Sequence, residues 1–180
     1  MNKIDEIMKK IVLFFMLILS TFTVFGKDYV SSDKCLSFIK EYEKCSLTAY
    51  WDSNGYSIGY GHHSNVKAND VITVQKANAL LAEDVKKAEK YVNYLLNKLP
   101  YTYKFNQKFI DGFTSFVYNV GVGNAETSTF YCRLKKCRIK NGVMDNRDYE
   151  YTLAAIKTSC VSCKGHTKRR LGEYKLMKGL

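Results

Sequence analysis

Two carboxylates and a glycine-rich turn lie close together in the first third of the chain. Asp52 follows Glu43 after eight intervening residues, and the run from Gly55 to His62 then contains the hydroxyl of Ser57. Hydrolysis of a glycosidic bond requires one carboxyl group that donates a proton and a second that is ionised. This combination of residue types and spacing therefore indicates glycosidase chemistry.

The two carboxylates have different sequence surroundings, which suggests different roles. Glu43 ends an amphipathic segment, and a partly apolar setting suits a general acid. Asp52 begins the polar stretch that leads to Gly55, a setting that suits a charged carboxylate. We therefore expect Glu43 to be the general acid and Asp52 to be the base or electrostatic partner.

Helices and a small sheet must position these groups. Ser31 and Ser32 are typical helix caps, and the apolar spacing that follows predicts a first helix that ends close to Glu43. The stretch from Leu47 to Tyr60 is rich in residues that favour strands and has a turn in the middle, which predicts a small antiparallel sheet.

The rest of the chain has mostly helical periodicity. A helix of about 27 residues is predicted from Thr73 to Leu99, long enough to link two lobes, with Pro100 ending it. Phenylalanines at helical spacing predict a buried helix, and two shorter helices are predicted after it. These three segments are 105–117, 149–156 and 169–177.

The order of the motifs resembles phage-type lysozymes, glycoside hydrolase family 24. The first block runs from Phe38 through Glu43 and Asp52 to the Ile-Gly-Tyr-Gly-His sequence that ends at His62. A second block has the sequence Phe-Val-Tyr-Asn-Val-Gly at 116–121, followed by Ser-Thr at 128–129. A third block, Gly-x3-Arg-Arg-x2-Glu-x2-Leu, extends the resemblance to Leu176.

The resemblance implies roles for several further residues. Ser57 would orient the attacking water together with Asp52, because its hydroxyl both donates and accepts hydrogen bonds. His62 would be a hydrogen-bonded residue that supports the cleft, and the arginines at 169 and 170 would be surface or ion-paired helix residues. Substrate contacts are expected from one set of residues: Tyr50, Trp51, His62, Asn119, Ser128 and Thr129. Neither a metal nor a cofactor is expected.

Two features depart from the family pattern. Lys44 replaces the glycine that usually follows the acid, and the turn between Asp52 and Ser57 is one residue short. The alternatives to a hydrolase are therefore a lytic transglycosylase and a cell-wall-binding protein with impaired catalysis.

The N-terminus resembles an export signal. Lys9 and Lys10 precede an apolar run from Ile11 to Phe25, which spans only about 24 Å as a helix against roughly 30 Å for a membrane core. We expect residues 1–26 to be a signal peptide, or an uncleaved anchor as the alternative, and residues 27–180 to be the catalytic domain. The product would be periplasmic or secreted, and monomeric.

The basic composition fits partners outside the cytosol. Removing residues 1–26 takes away three lysines and two acidic residues, so the formal charge falls from +11 to +10. Cationic surfaces favour polyanions, and after export these are cell-wall polymers and lipid headgroups rather than nucleic acid. The expected partners are peptidoglycan glycan strands and anionic wall polymers, with membrane contact only if the signal stays uncleaved.

Six cysteines in an exported chain predict disulfides. They lie at positions 35, 45, 132, 137, 160 and 163, and the sequence does not select among the possible pairings. A zinc site built from the last four is the alternative.

The predicted fold class is α+β and mostly helical, a lysozyme-like two-lobed domain with a small N-terminal antiparallel sheet and a long linking helix. The predicted reaction is inverting hydrolysis of the beta-1,4 bond between N-acetylmuramic acid and N-acetylglucosamine in peptidoglycan.

Overall fold

The computed structural model describes residues 28–53, 55–162 and 164–180, and it begins with a short helix. Helix α1 spans Asp33–Tyr42, and the Ser32 hydroxyl caps its first turn by accepting a hydrogen bond from the amide of Lys34 at 3.3 Å. Glu43 caps the other end with an extended backbone. The predicted end of the first helix is therefore confirmed.

A two-stranded hairpin follows α1. Strand β1 spans Ser46–Asp52 and pairs antiparallel with β2, Gly55–Gly59. Tyr50 lies opposite Ser57, and Asp52 lies opposite Gly55. An additional bridge joins Thr48 to Val71, which ties the hairpin to the loop that follows it. The predicted small sheet is confirmed.

The long helix α2, Val74–Asn97, connects the two lobes. Its 24 residues extend over about 36 Å, and the Thr73 hydroxyl caps its start. One part of α2 packs against β2, and its Leu81 and Val85 share a buried cluster with Cys35 and Ile39 of α1. The predicted linking helix is confirmed, slightly shorter than expected.

The C-terminal lobe is helical and has an aromatic core. Its elements are α3 (Gln107–Thr127), α4 (Thr129–Leu134), β3 (Ile139–Lys140), β4 (Val143–Met144), α5 (Asn146–Ile156) and α6 (Lys164–Lys178). Phe109 packs against Phe105, Phe113 and Phe130, all fully buried or nearly so. Helix α3 extends beyond the predicted segment but is interrupted at Gly121, where φ is 76° and ψ is 160°, so it consists of two helical parts. The sequence did not predict α4 or the β3–β4 hairpin.

Helix α6 lies close to the end of α1 at Gly172. A side chain at Gly172 would lie 2.4 Å from the Tyr42 hydroxyl and 2.9 Å from the Phe38 ring. The absence of a side chain at Gly172 leaves room for the rings of Tyr42 and Phe38 between α6 and the end of α1. The C-terminal helix therefore reaches the neighbourhood of Glu43.

The described residues test only part of the cysteine and export predictions. The five cysteines in the described ranges, at 35, 45, 132, 137 and 160, carry free thiols, so the expected disulfides are not seen among them. Burial raises the pKa of the Cys35 thiol to about 12. Cys163 and the predicted signal at 1–26 lie outside the described residues. Within those residues, no helix is long and apolar enough to cross a membrane.

Candidate active site

A cavity of about 650 Å³ lies between the hairpin and helices α2 and α3. Glu43, Tyr50 and Asp52 line it from the N-terminal side of the chain. The loop after β2, helix α2 and the middle of α3 contribute the remaining wall, which includes Ser64, Asp84 and Asn119. The cavity therefore brings together both carboxylates that the sequence analysis selected.

Glu43 is held in the cavity by a cation that lies far from it in sequence. The Arg169 guanidinium on α6 donates a hydrogen bond to Oε1 of Glu43. The Arg169 side chain is only 4% exposed, whereas that of Glu43 is 26% exposed and accessible from the cavity. Lys44 is exposed, so the cation that pairs with Glu43 is Arg169 and not the neighbouring lysine.

The hairpin places Tyr50, Asp52 and Ser57 on one face. Residues that alternate along a strand share a face, and residues directly opposite in an antiparallel pair also do so. Ser57, opposite Tyr50, is buried. Burial raises the pKa of Tyr50, and the carboxylates of Asp52 and Glu43 raise it further. The shortened turn therefore leaves Ser57 on the same face as Asp52.

His62 lies in the wall behind the cavity and is nearly buried. Its Nδ1 is 2.7 Å from a carboxylate oxygen of Asp84, and its Nε2 is 3.0 Å from the backbone oxygen of Ser64. Both ring nitrogens thus have protein partners, while Asp84 and Ser64 themselves line the cavity. This arrangement agrees with the hydrogen-bonded, supporting role expected of His62.

Arg169 and Arg170 are both buried, so the surface location considered for them is wrong. Glu173 lies beside them and is itself fully buried, and it forms ion pairs with both guanidiniums. Buried charges require such partners, because an isolated ion is costly outside water. Burial raises the pKa of Glu173 and lowers that of Arg170, whereas their mutual attraction opposes both shifts.

With this geometry established, comparison with known proteins identifies the family. The model of the phage lysozyme family, "Phage lysozyme", matches residues 40–173. The chain belongs to the phage lysozyme family. It is a lysozyme-type glycoside hydrolase, as the sequence resemblance implied.

Individual lysozyme relatives agree with this assignment over most of the chain. An endolysin of Acyrthosiphon pisum secondary endosymbiont phage 1 is 33% identical over 147 residues, which cover 81% of this chain and 95% of that protein. The endolysin from Escherichia coli O157:H7 phage FAHEc1 has a similar structure, with a TM-score of 0.67 and 26% identity, covering 83% of this chain and 93% of that one.

A more distant structure confirms the lysozyme fold alone. The muramidase domain of SpmX from Asticaccaulis excentricus has a TM-score of 0.68 at 22% identity, covering 83% of this chain and 97% of that domain. The predicted lysozyme-like fold class is therefore confirmed.

The residues expected on the C-terminal side of the lysozyme cleft separate into two groups. Asn119 lines the cavity. Ser128 is buried and caps α4, accepting a hydrogen bond from the amide of Tyr131 at 3.1 Å. Thr129 is exposed, and neither it nor Ser128 is among the residues that line the cavity.

Trp51 lies on the opposite face of the hairpin from Tyr50 and Asp52. It is 65% exposed, and its ring packs edge-on against that of Tyr56, its cross-strand partner, with centroids 5.2 Å apart. The strand alternation thus directs Tyr50, rather than Trp51, to the lysozyme cavity.

The sequence analysis did not select several residues that line the lysozyme cavity. Tyr118 donates a hydrogen bond to the backbone oxygen of Tyr60 at 2.8 Å, and Lys87 donates one to Asp84 at 2.8 Å. Tyr91 adds an exposed ring to the wall. The helical periodicity of α2 marked its buried face, but it carried no signal for which polar positions face the cleft. No group of three or more potential metal ligands occurs within the described ranges.

Proposed function

We propose that the protein hydrolyses the beta-1,4 bond between N-acetylmuramic acid and N-acetylglucosamine in peptidoglycan, with inversion at the anomeric carbon. The observation that carries this proposal is the shared cavity, in which Glu43 and Asp52 meet within a lysozyme-family domain. The names of the relatives support the substrate class, because they include endolysins and a muramidase domain.

Each residue has a role that its position supports. Glu43 is the proposed donor of the proton to the leaving oxygen because its carboxyl group is open to the cavity. The hydrogen bond from Arg169 fixes the position of that group. Asp52, an exposed residue at the end of β1, lines the cavity and activates a water. Its proposed partner is the Ser57 hydroxyl, which lies on the same face of the hairpin but is buried and is not among the residues that line the cavity. Tyr50 and Asn119 contact the glycan.

The stereochemistry of the product tests this reaction. We expect soluble peptidoglycan oligomers to yield reducing sugars whose new ends first appear as the anomer opposite to that of the substrate bond. Nuclear magnetic resonance in the first minutes of digestion measures that ratio. Anhydro-sugar ends would establish a lytic transglycosylase instead, and binding to walls with no released sugar would establish a protein with impaired catalysis.

We also infer export of the chain, with residues 1–26 as the signal and residues 27–180 as a monomeric enzyme outside the cytosol. The formal charge supports this destination, because anionic wall polymers attract a strongly cationic protein. The most basic segment of the domain is 133–140, in which five of eight residues are lysine or arginine.

The basic segment provides a testable contribution to wall binding. Replacing the exposed Lys135 and Lys136 with glutamine should weaken binding to anionic walls, because two attractive charges are lost. The salt dependence of binding should also become flatter, because less electrostatic attraction remains for salt to screen. Co-sedimentation with walls between 50 and 500 mM salt, chosen as roughly the range over which the Debye length falls several-fold, measures the effect. Replacing Lys67 and Lys76, exposed at the other end of the molecule, is the matched control. Equal losses in both pairs would show that only total charge matters.

A further inference from the structure

One buried carboxylate holds both arginines of α6. Oε1 of Glu173 accepts hydrogen bonds from Arg169 at 3.2 Å and from the Ser115 hydroxyl at 2.9 Å. Oε2 accepts a hydrogen bond from Arg170. The side chains of Glu173 and Arg170 have no exposed surface. Glu173 is therefore a fixed anchor from which the two guanidiniums extend in different directions.

The two guanidiniums reach different residues of the cavity. Arg169 bonds Glu43, the proposed acid, whereas Arg170 donates a hydrogen bond to Oδ1 of Asn119. Both Glu43 and Asn119 line the cavity. The buried cluster thus contacts the site at two separate points.

The contact with Arg170 fixes the orientation of the Asn119 amide. A guanidinium has only donors, so the Asn119 atom that faces it must be the carbonyl oxygen. The amide nitrogen, with its two N–H donors, is consequently left for other partners. Because Asn119 lines the cavity and is only partly buried, these donors are accessible to a ligand in the cavity.

Arginine is better suited than lysine to orienting the Asn119 amide. Its planar fork can bond Glu173 through one nitrogen and Asn119 through another. The guanidinium also lies over the Phe116 ring, 4.7 Å from its centroid, which limits its freedom further. A lysine ammonium at the same place would lack this planar geometry.

We infer that Arg170, anchored by Glu173, is a positioning residue that presents the Asn119 N–H donors to the acetamido carbonyl of a bound sugar. This inference rests on the proposed function, since both sugars of that glycan are N-acetylated. An acetamido carbonyl only accepts hydrogen bonds, so it requires a donor with a defined direction. The predicted role is in substrate binding and leaves proton transfer by Glu43 unchanged.

The test combines two substitutions at the contact. Asn119→Asp keeps an oxygen for Arg170 but removes the donors, and Arg170→Met removes the group that orients the amide. Each should raise KM for soluble N-acetylated glycan roughly ten-fold, the effect of losing about one hydrogen bond, while kcat stays within about two-fold. The double variant should be no worse than Asn119→Asp alone, since both changes remove one interaction. Arg147→Met, at an exposed arginine, is the control.

Three outcomes would overturn the inference. These are an unchanged KM in the folded Asn119→Asp protein, a loss in kcat with constant KM, and additive effects in the double variant. If Arg170→Met does not fold, Arg170→Lys replaces it, because lysine keeps a positive charge beside Glu173 but lacks the planar fork that bonds both Glu173 and Asn119. Partial removal of acetyl groups from the glycan should raise KM of the wild type but not of Asn119→Asp. A wild-type protein that releases no sugar from peptidoglycan would instead refute the proposed function, and the affinity of the same variants for the glycan would then decide the role of Arg170.

Discussion

Replacing Glu43 with glutamine should lower the rate of peptidoglycan hydrolysis by a factor of about 10²–10⁴, the usual contribution of a general acid. Glutamine has nearly the same shape but no proton to give to the leaving oxygen. The fold should persist, because Glu43 is the partly exposed member of its ion pair and Arg169 keeps Glu173 as a partner. Release of reducing sugar from purified walls, with circular dichroism on the same samples, measures both quantities.

A matched control lies two residues earlier. Glu41 is an exposed glutamate in the last turn of α1, the helix that Glu43 caps, so Glu41→Gln changes the net charge equally without touching the cavity. Its activity should equal that of the wild type. Wild-type rates in the Glu43→Gln protein would contradict the assignment of Glu43, and equal losses in both variants would assign the effect to surface charge.

Replacing Glu173 with alanine should reduce the free energy of unfolding by about 3–5 kcal/mol, the usual cost of removing one partner of a buried ion pair. Two guanidiniums would then remain in the protein interior with Ser115, Asn119 and Glu43 as their remaining partners. Activity should fall as well, since both Arg169 and Arg170 lose their anchor. Urea denaturation followed by tryptophan fluorescence or circular dichroism measures the stability.

Glu150 supplies the comparison for this experiment. It is also an ion-paired glutamate, 2.6 Å from Lys178, but its side chain is 40% exposed. Exposed pairs contribute about 0–1 kcal/mol, so Glu150→Ala should be nearly neutral. Similar unfolding curves for the two variants would show that the Glu173 cluster does not contribute as a buried network.

The sequence predicted the elements around the site because their signals are local. The apolar repeat of α2 and the turn between β1 and β2 are each encoded within a short stretch. Elements without a clear local signal were not predicted. The six residues of α4 are too few for a clear period, and their start depends on the Ser128 cap, which the resemblance had suggested for the cleft.

Residue spacing predicted only the part of the site whose residues lie near one another in sequence, and Asn119 was predicted from the family resemblance. Glu43, Asp52 and Ser57 fall within one block, whereas Arg169 reaches Glu43 from α6 and Asp84 reaches His62 from α2. An arginine in a helix is usually exposed, and nothing local marks Arg170 as fully buried. Its burial depends on Glu173 and Asn119, one of which belongs to another helix.

The ion pair between Glu43 and Arg169 joins residues 126 positions apart, near the two ends of the domain. During synthesis Glu43 is made first, and Arg169 is added only when α6 is translated. A chain that is interrupted or clipped before α6 retains both carboxylates and lacks the guanidinium that holds one of them. The proposed active site is therefore complete only after translation has passed α6.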